Sequence, residues 1–175
     1  MSAGTNEALK SKYKSSFLPL LLEAGNKVKL GNFTILPFDV KHDCNEALGF
    51  LIHHPETGNV LFVTDSYYVP YTFANLSNIL IEANYRMDLL EKNIAAGRIP
   101  ARLRDRTLQS HMSLETCKEA LLANDLSKVN NIILIHLSDG NSNAEEFEQD
   151  ISQATCKTVS IAEKGLKIKI DKQPF

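Results

Sequence analysis

Apolar residues near the start of the chain carry no clear period. Asn6–Lys14 predicts a short helix with a weak apolar face, and FLPLLLEAG (Phe17–Gly25) is apolar throughout, with Pro19 arguing against a long helix. The pattern then changes. KVKL (Lys27–Leu30), the turn residues Gly31 and Asn32, and FTILPFDVKH (Phe33–His42) predict two strands joined by a tight turn. GFLIHH (Gly49–His54) and NVLFVTD (Asn59–Asp65) predict two more, separated by the turn-forming PETG. NILIEAN (Asn78–Asn84) lacks the alternation of a half-buried strand, which predicts burial on both faces. Helical patterns follow at Met87–Ala96, stopped by Gly97, and at Leu114–Ala123, opened by Ser113 as N-cap. VNNIILIHLS (Val129–Ser138) predicts a buried strand. Ala144–Ala154, after Ser142 and Asn143, predicts a helix whose acidic start suits the helix dipole. KTVSIA (Lys157–Ala162) and GLKIKI (Gly165–Ile170) predict a closing hairpin. Strands dominate early and alternate with helices later, so the expected class is a layered α/β fold.

Composition narrows the field. The 175 residues are 43% hydrophobic, enough for one domain over 1–175 whose core needs neither disulfide nor structural metal. Nineteen Lys+Arg against 21 Asp+Glu leave a net charge of -2, which excludes a general attraction to nucleic acid or anionic membrane but not a local basic groove. No apolar run approaches membrane-spanning length, and MSAGTNEALKSKYK has no signal-peptide core. Cys44, Cys117 and Cys156 are odd in number and widely spaced, which fits a reducing cytoplasm. Each is expected to be a small buried apolar residue.

The informative positions are those where polar residues end apolar strands. His42 and Asp43 follow PFDV, Asp65 ends LFVT, and His136 ends IILI. His111 precedes a helix N-terminus in Ser-His-Met-Ser. Neutral imidazole plus carboxylate is the ligand set of zinc, manganese and iron sites. A carboxylate can bridge two cations that activate water for an in-line displacement. A histidine at a helix start can donate to an anion held by the free amides. Taken singly, each of these residues also reads as an ordinary hydrogen-bonded side chain or turn cap. His53 and His54 point to opposite faces of their strand and so do not chelate one ion. Glu82 reads equally as a satisfied core carboxyl or as a partner of a nearby ligand. RIPARLRDR (Arg98–Arg106) reads as a solvated surface loop or as a phosphate-seeking basic stretch.

Together, PFDVKHD, GFLI, LFVTD, LIEANY, SHMSLET and LIHLSDGN resemble the metallo-β-lactamase fold hydrolases. The nearest branch is the bacterial and phage proteins related to ribonuclease J and Z phosphodiesterases, including predicted DNA exonucleases. The resemblance runs from SAGT (Ser2–Thr5) to Asn143. It implies that His42, Asp65 and His136 are metal ligands, with Asp65 bridging two ions of zinc or manganese. It implies that His111 contacts the scissile phosphate or moves a proton, and that Ser113, Asn84 and Tyr85 lie on the substrate side. Asp43 would orient His42. Cys44 stands where the family has a small residue.

One part of the family pattern is absent: the chain contains no H-x-H, whereas the family signature is H-x-H-x-D-H. The expectation is therefore a partial αββα sandwich lacking its N-terminal strands, with a weak half-site for metal. Such a chain would act only with its missing piece, from a complementing N-terminal fragment or a homo-oligomer. Nucleic acid is the expected substrate and a membrane is not an expected partner. Two other readings stay open: a non-catalytic subunit that pairs with a partner chain, and a thiolester or lactone hydrolase on the same fold.

Overall fold

The computed structural model describes residues 1–12 and 19–173. Helix α1 spans Ala3–Lys12, followed by strands β1 (Val28–Leu30), β2 (Phe33–Asp39), β3 (Leu48–His54), β4 (Gly58–Val63) and β5 (Leu76–Glu82). Helices α2 (Met87–Ala95), α3 (Ala101–Ser110) and α4 (Leu114–Leu122) lead to β6 (Asn131–Ile135), and α5 (Ala144–Thr155) leads to β7 (Thr158–Ile161). All seven strands form one sheet, ordered as in the chain. Neighbours from β1 to β4 are antiparallel, and those from β4 to β7 are parallel.

Cross-strand partners share a face of the sheet. Leu61 aligns with Ile79, Ile79 with Ile132, and Ile132 with Val159. This row packs against Met112, against Leu114, Cys117 and Leu121 from α4, and against Phe147 and Ile151 from α5. Ile79, Ile132, Phe147 and Ile151 are fully buried. The opposite face carries the row Phe50, Phe62, Leu80 and Ile133, of which Ile133 is buried and the other three are half-buried. The parallel strands accordingly read as continuous apolar runs, and the alternation expected of a half-exposed sheet is missing.

Local signals set the helix ends. Ser113 Oγ accepts from the Thr116 N–H at the start of α4, and Asn143 caps α5 through the Glu146 N–H. Helix α5 ends on Cys156 in the left-handed conformation. Ser2 accepts from the Thr5 N–H at the start of α1, so SAGT is a helix start here. The helix expected over Asn6–Lys14 falls on α1 as far as Lys12; Tyr13, Lys14, Phe17 and Leu18 lie outside the described residues.

Three expectations are corrected. The closing hairpin does not form. Strand β7 pairs in parallel with β6, and Gly165–Ile170 has no strand. The carbonyls of this last segment are taken by side chains: Asn131 Nδ2 donates to Lys169 O, and Asn78 and Asn130 both donate to Asp171 O. The basic stretch is not a loop, since Ala101–Ser110 is α3. Its side chains are polar almost all round, so no apolar stripe announces it. It is held by contact with α2, including Arg104 to Glu91 at 2.6 Å. Lastly, only Cys117 is buried; Cys44 and Cys156 are exposed, the latter because it terminates α5 at the surface. No helix among the described residues is long and apolar enough to cross a membrane.

Gly49 sits opposite Phe38 across β2 and β3, and a Cβ there would come within 2.5 Å of the Phe38 ring and 2.9 Å of Val40 Cγ1. Gly49→Ala is expected to lower unfolding free energy by about 1–3 kcal/mol through overpacking, read as a shifted midpoint in urea denaturation at unchanged slope.

Candidate metal centre

The topology brings the strand-end residues together. Strands β2, β4, β5 and β6 run in the same direction, so their carboxyl ends share one edge of the sheet. His42 follows β2, Asp65 follows β4, Glu82 is the last residue of β5, and His136 follows β6. In open α/β sheets ligands sit outside the carboxyl ends of strands, where rigid backbones deliver side chains to one point. Asp65 and His136 both leave their strands in the left-handed conformation, with φ of 51° and 58°. Non-glycine residues pay for that conformation, and such strain clusters at functional sites. His111 enters from the junction between α3 and α4.

Asp65, His111 and His136 each offer a ligand atom, and these atoms all lie within 4.8 Å of one another. Asp65 Oδ1 is 3.5 Å from His136 Nδ1, 3.9 Å from His111 Nδ1 and 3.9 Å from His42 Nε2. Thr64 Oγ1 donates to Asp65 Oδ2 at 3.2 Å. All four residues singled out for metal or catalysis therefore converge. The tightest set, however, contains His111 in place of His42.

This donor set fits a divalent cation: two imidazoles and a carboxylate, with a third imidazole adjoining. His42 turns Nε2 toward Asp65, while its buried Nδ1 has no hydrogen-bond partner among the described residues, with Asp43 Oδ1 3.3 Å away. A buried imidazole nitrogen without a partner is costly. Asp43 in turn accepts from Arg106 Nε of α3 at 3.1 Å.

Glu82 organises the centre from below. Its side chain is 0% exposed, its Oε2 accepts the Ser66 N–H at 3.0 Å, and its Oε1 pairs with His111 Nδ1 at 2.7 Å. The same Oε1 lies 3.1 Å from His136 Nδ1. One carboxyl thus ties the Asp65 loop, the His111 junction and the His136 exit together. The His111 pKa is raised above its usual 6.5, first by this hydrogen bond to Glu82, against burial, which lowers it. By sequence Glu82 is evenly balanced between a core carboxyl and a partner of a nearby ligand, and its one signal is a lone carboxyl in an otherwise apolar strand.

The expected substrate-side residues make contacts within the described structure. Asn84 is 8% exposed and donates to His136 O at 2.7 Å, pinning the left-handed exit. Tyr85 is buried and bridges to Ser113, with the Leu114 N–H donating to Tyr85 O at 2.8 Å. Burial pushes the Tyr85 phenol up to about 12. The Ser113 hydroxyl is occupied by the α4 cap. His53 and His54 lie away from the centre, at the amino-terminal end of β4. There His53 bonds Asn59 and His54 stacks on Phe33 at 4.5 Å.

The sheet and its helices form the metallo-β-lactamase fold, as comparison with solved structures shows. YhfI from Bacillus subtilis, a metallo-β-lactamase fold protein, matches 94% of this chain with a TM-score of 0.64 at 15% identity. Igni18, a metallo hydrolase from the hyperthermophilic archaeon Ignicoccus hospitalis KIN4/I, matches 96% with a TM-score of 0.61 at 15% identity. A diphosphatase from the PhnP family matches 95% with a TM-score of 0.64 at 16% identity. The chain spans 61%, 68% and 55% of these proteins, respectively. No protein-family model and no curated protein matches the sequence.

The hydrogen bond to Glu82 favours the charged imidazole. Its contribution to stability is present below the unfolded pKa near 6.5 and fades as pH rises through the raised folded value. In chelator-treated protein, NMR titration is expected to place the His111 pKa above 6.5 and to find it lowered in Glu82→Gln. An unshifted His111 in that variant would contradict the assignment.

Proposed function

We propose that this chain carries part of the active site of a metal-dependent hydrolase that cleaves phosphodiester bonds, as nucleases do. The observation that carries the reading is the convergence of Asp65, His111 and His136 on the carboxyl edge of the sheet, with His42 adjoining. Asp65, His136 and His42 would hold zinc or manganese, with His111 standing beside them as the proton-exchanging group. When bound, the cation supplies Lewis acidity toward an anionic oxygen.

The protein's own groups supply the remainder. Thr64 and the left-handed turn aim Asp65. Asn84 holds the backbone of His136. Glu82 accepts from Nδ1 of His111, which leaves Nε2 as the nitrogen that exchanges a proton with a leaving oxygen or donates to a phosphate. The raised pKa keeps a charged fraction of His111 near neutrality. Arg102 and Arg106 are exposed on α3, whose Arg106 reaches Asp43 beside His42. Guanidinium groups there favour a phosphate-bearing substrate over a thiolester or lactone. A neighbour that is a diphosphatase supports the same preference. Ser113, Asn84 and Tyr85 act in this reading as supports for the site's walls. The activity is proposed for the whole protein, with further donors from additional chain, a complementing fragment or a second copy.

Calorimetric titration with zinc and with manganese is expected to show saturable binding that Asp65→Ala abolishes. Hydrolysis of bis(p-nitrophenyl) phosphate is expected to fall to background in Asp65→Ala and about 10–100-fold in Glu82→Gln, which disturbs a residue behind the ligands. Hydrolysis unchanged by Asp65→Ala would sink the proposal.

A further inference from the structure

The strands that deliver the metal-type cluster frame a cavity at their other end. A cavity of about 570 Å³ opens at the amino-terminal ends of β4, β5 and β6, lined in part by Gly58, Asn75, Ser77, Lys128, Asn130 and Lys172. Six residues of β4 and its exit lie between Gly58 and Asp65, which places the cavity about 20 Å from the cluster. The volume suits a small molecule.

The lining is donor-rich and positively charged, and no carboxylate among the described residues contributes to it. The nearby acids lie outside the lining, although the charge of Asp125 acts on Lys128 and Glu56 shares an adjoining hollow with Lys172. Asp171 pairs with Lys169 at 2.7 Å, and Asp125 accepts the Ser127 N–H at 2.9 Å. The Lys172 ammonium has no partner among the described residues, while its backbone N–H is anchored to Glu56 O at 2.7 Å. Lys128 Nζ donates to Asn75 Oδ1 at 2.9 Å, a neutral acceptor that positions the ammonium without cancelling its charge. Asn75 itself is held in the left-handed conformation, with φ of 56°. Ser77 is 5% exposed, and its hydroxyl makes no hydrogen bond among the described residues.

The walls of the cavity are built, not incidental. Asn78 and Asn130 both donate to Asp171 O, at 3.1 and 2.9 Å, which draws Lys172 over the strand ends. Gly58 has φ of +67°, and a Cβ there would lie 2.2 Å from Ser77 Oγ. Glycine is therefore required for this wall to stand as it does.

We propose that this cavity binds a small phosphate-bearing anion. Two ammonium groups match the dianion, and amide and hydroxyl groups supply neutral donors around it. The site is independent of the metal-dependent reading.

The test is an NMR titration of the full chain with inorganic phosphate and with glycerol phosphate, in chelator so that no metal contributes. The expected result is saturable shifts centred on the amides of Gly58, Ser77 and Lys128. The double variant Lys128→Gln, Lys172→Gln is expected to weaken binding about tenfold or more. Both lysines are exposed, so the variant should keep the fold, and its undisturbed spectrum away from the cavity checks this. Absence of saturable shifts, shifts centred on Asp65 and His136, or affinity unchanged in the double variant would overturn the proposal. Equal binding of acetate would overturn the phosphate assignment.

Discussion

A carboxyl group taken wholly out of water must find partners, and around Glu82 this requirement shapes the entire edge of the sheet. The side chain is 0% exposed. Unpaired, it would cost several kcal/mol of desolvation. Ser66 N–H and His111 Nδ1 meet the need directly, with His136 Nδ1 close by. Each of these partners belongs to a different connection: the exit of β4, the junction of α3 with α4, and the exit of β6. Satisfying one buried group therefore positions three loops at once. The strand–loop–strand geometry would otherwise leave those loops free to drift.

The next constraint is backbone conformation at the strand exits. Asp65 and His136 turn out of parallel neighbours with positive φ, a cost met by the contacts around them. Asn84 bonds to His136 O, and Thr64 bonds to the Asp65 side chain. Glu82, Asn84 and Thr64 thus support Asp65, His111 and His136 through hydrogen bonds. His42 keeps one ring nitrogen buried without a hydrogen-bond partner among the described residues.

The same parallel strands have a different chemistry at their two ends. The carboxyl edge gathers acids and imidazoles, and the amino edge gathers amides, hydroxyls and lysines. The fully apolar middle of each strand, such as Ile79–Ile81, insulates one from the other.

The legible part of the fold was its periodicity. Continuous apolar runs marked β4, β5 and β6, and Ser113 and Asn143 marked helix starts, because burial on both faces and end-capping are local demands. His42, Asp65 and His136 were legible as site residues because polar groups at the ends of apolar strands stand out. Less was legible where partners come from far along the chain. Helix α3 has no apolar stripe and is held by α2. Gly165–Ile170 alternates like a strand, but Asn131 takes its Lys169 carbonyl, and Asn78 and Asn130 hold Asp171 just beyond it. Glu82 is one letter in an apolar run until His111, 29 residues later, is folded against it. The residue types and their order on each strand were set by the sequence alone. Which histidines share Asp65, and what satisfies the buried carboxyl, was decided only by the tertiary structure, since these contacts join segments that no local propensity relates.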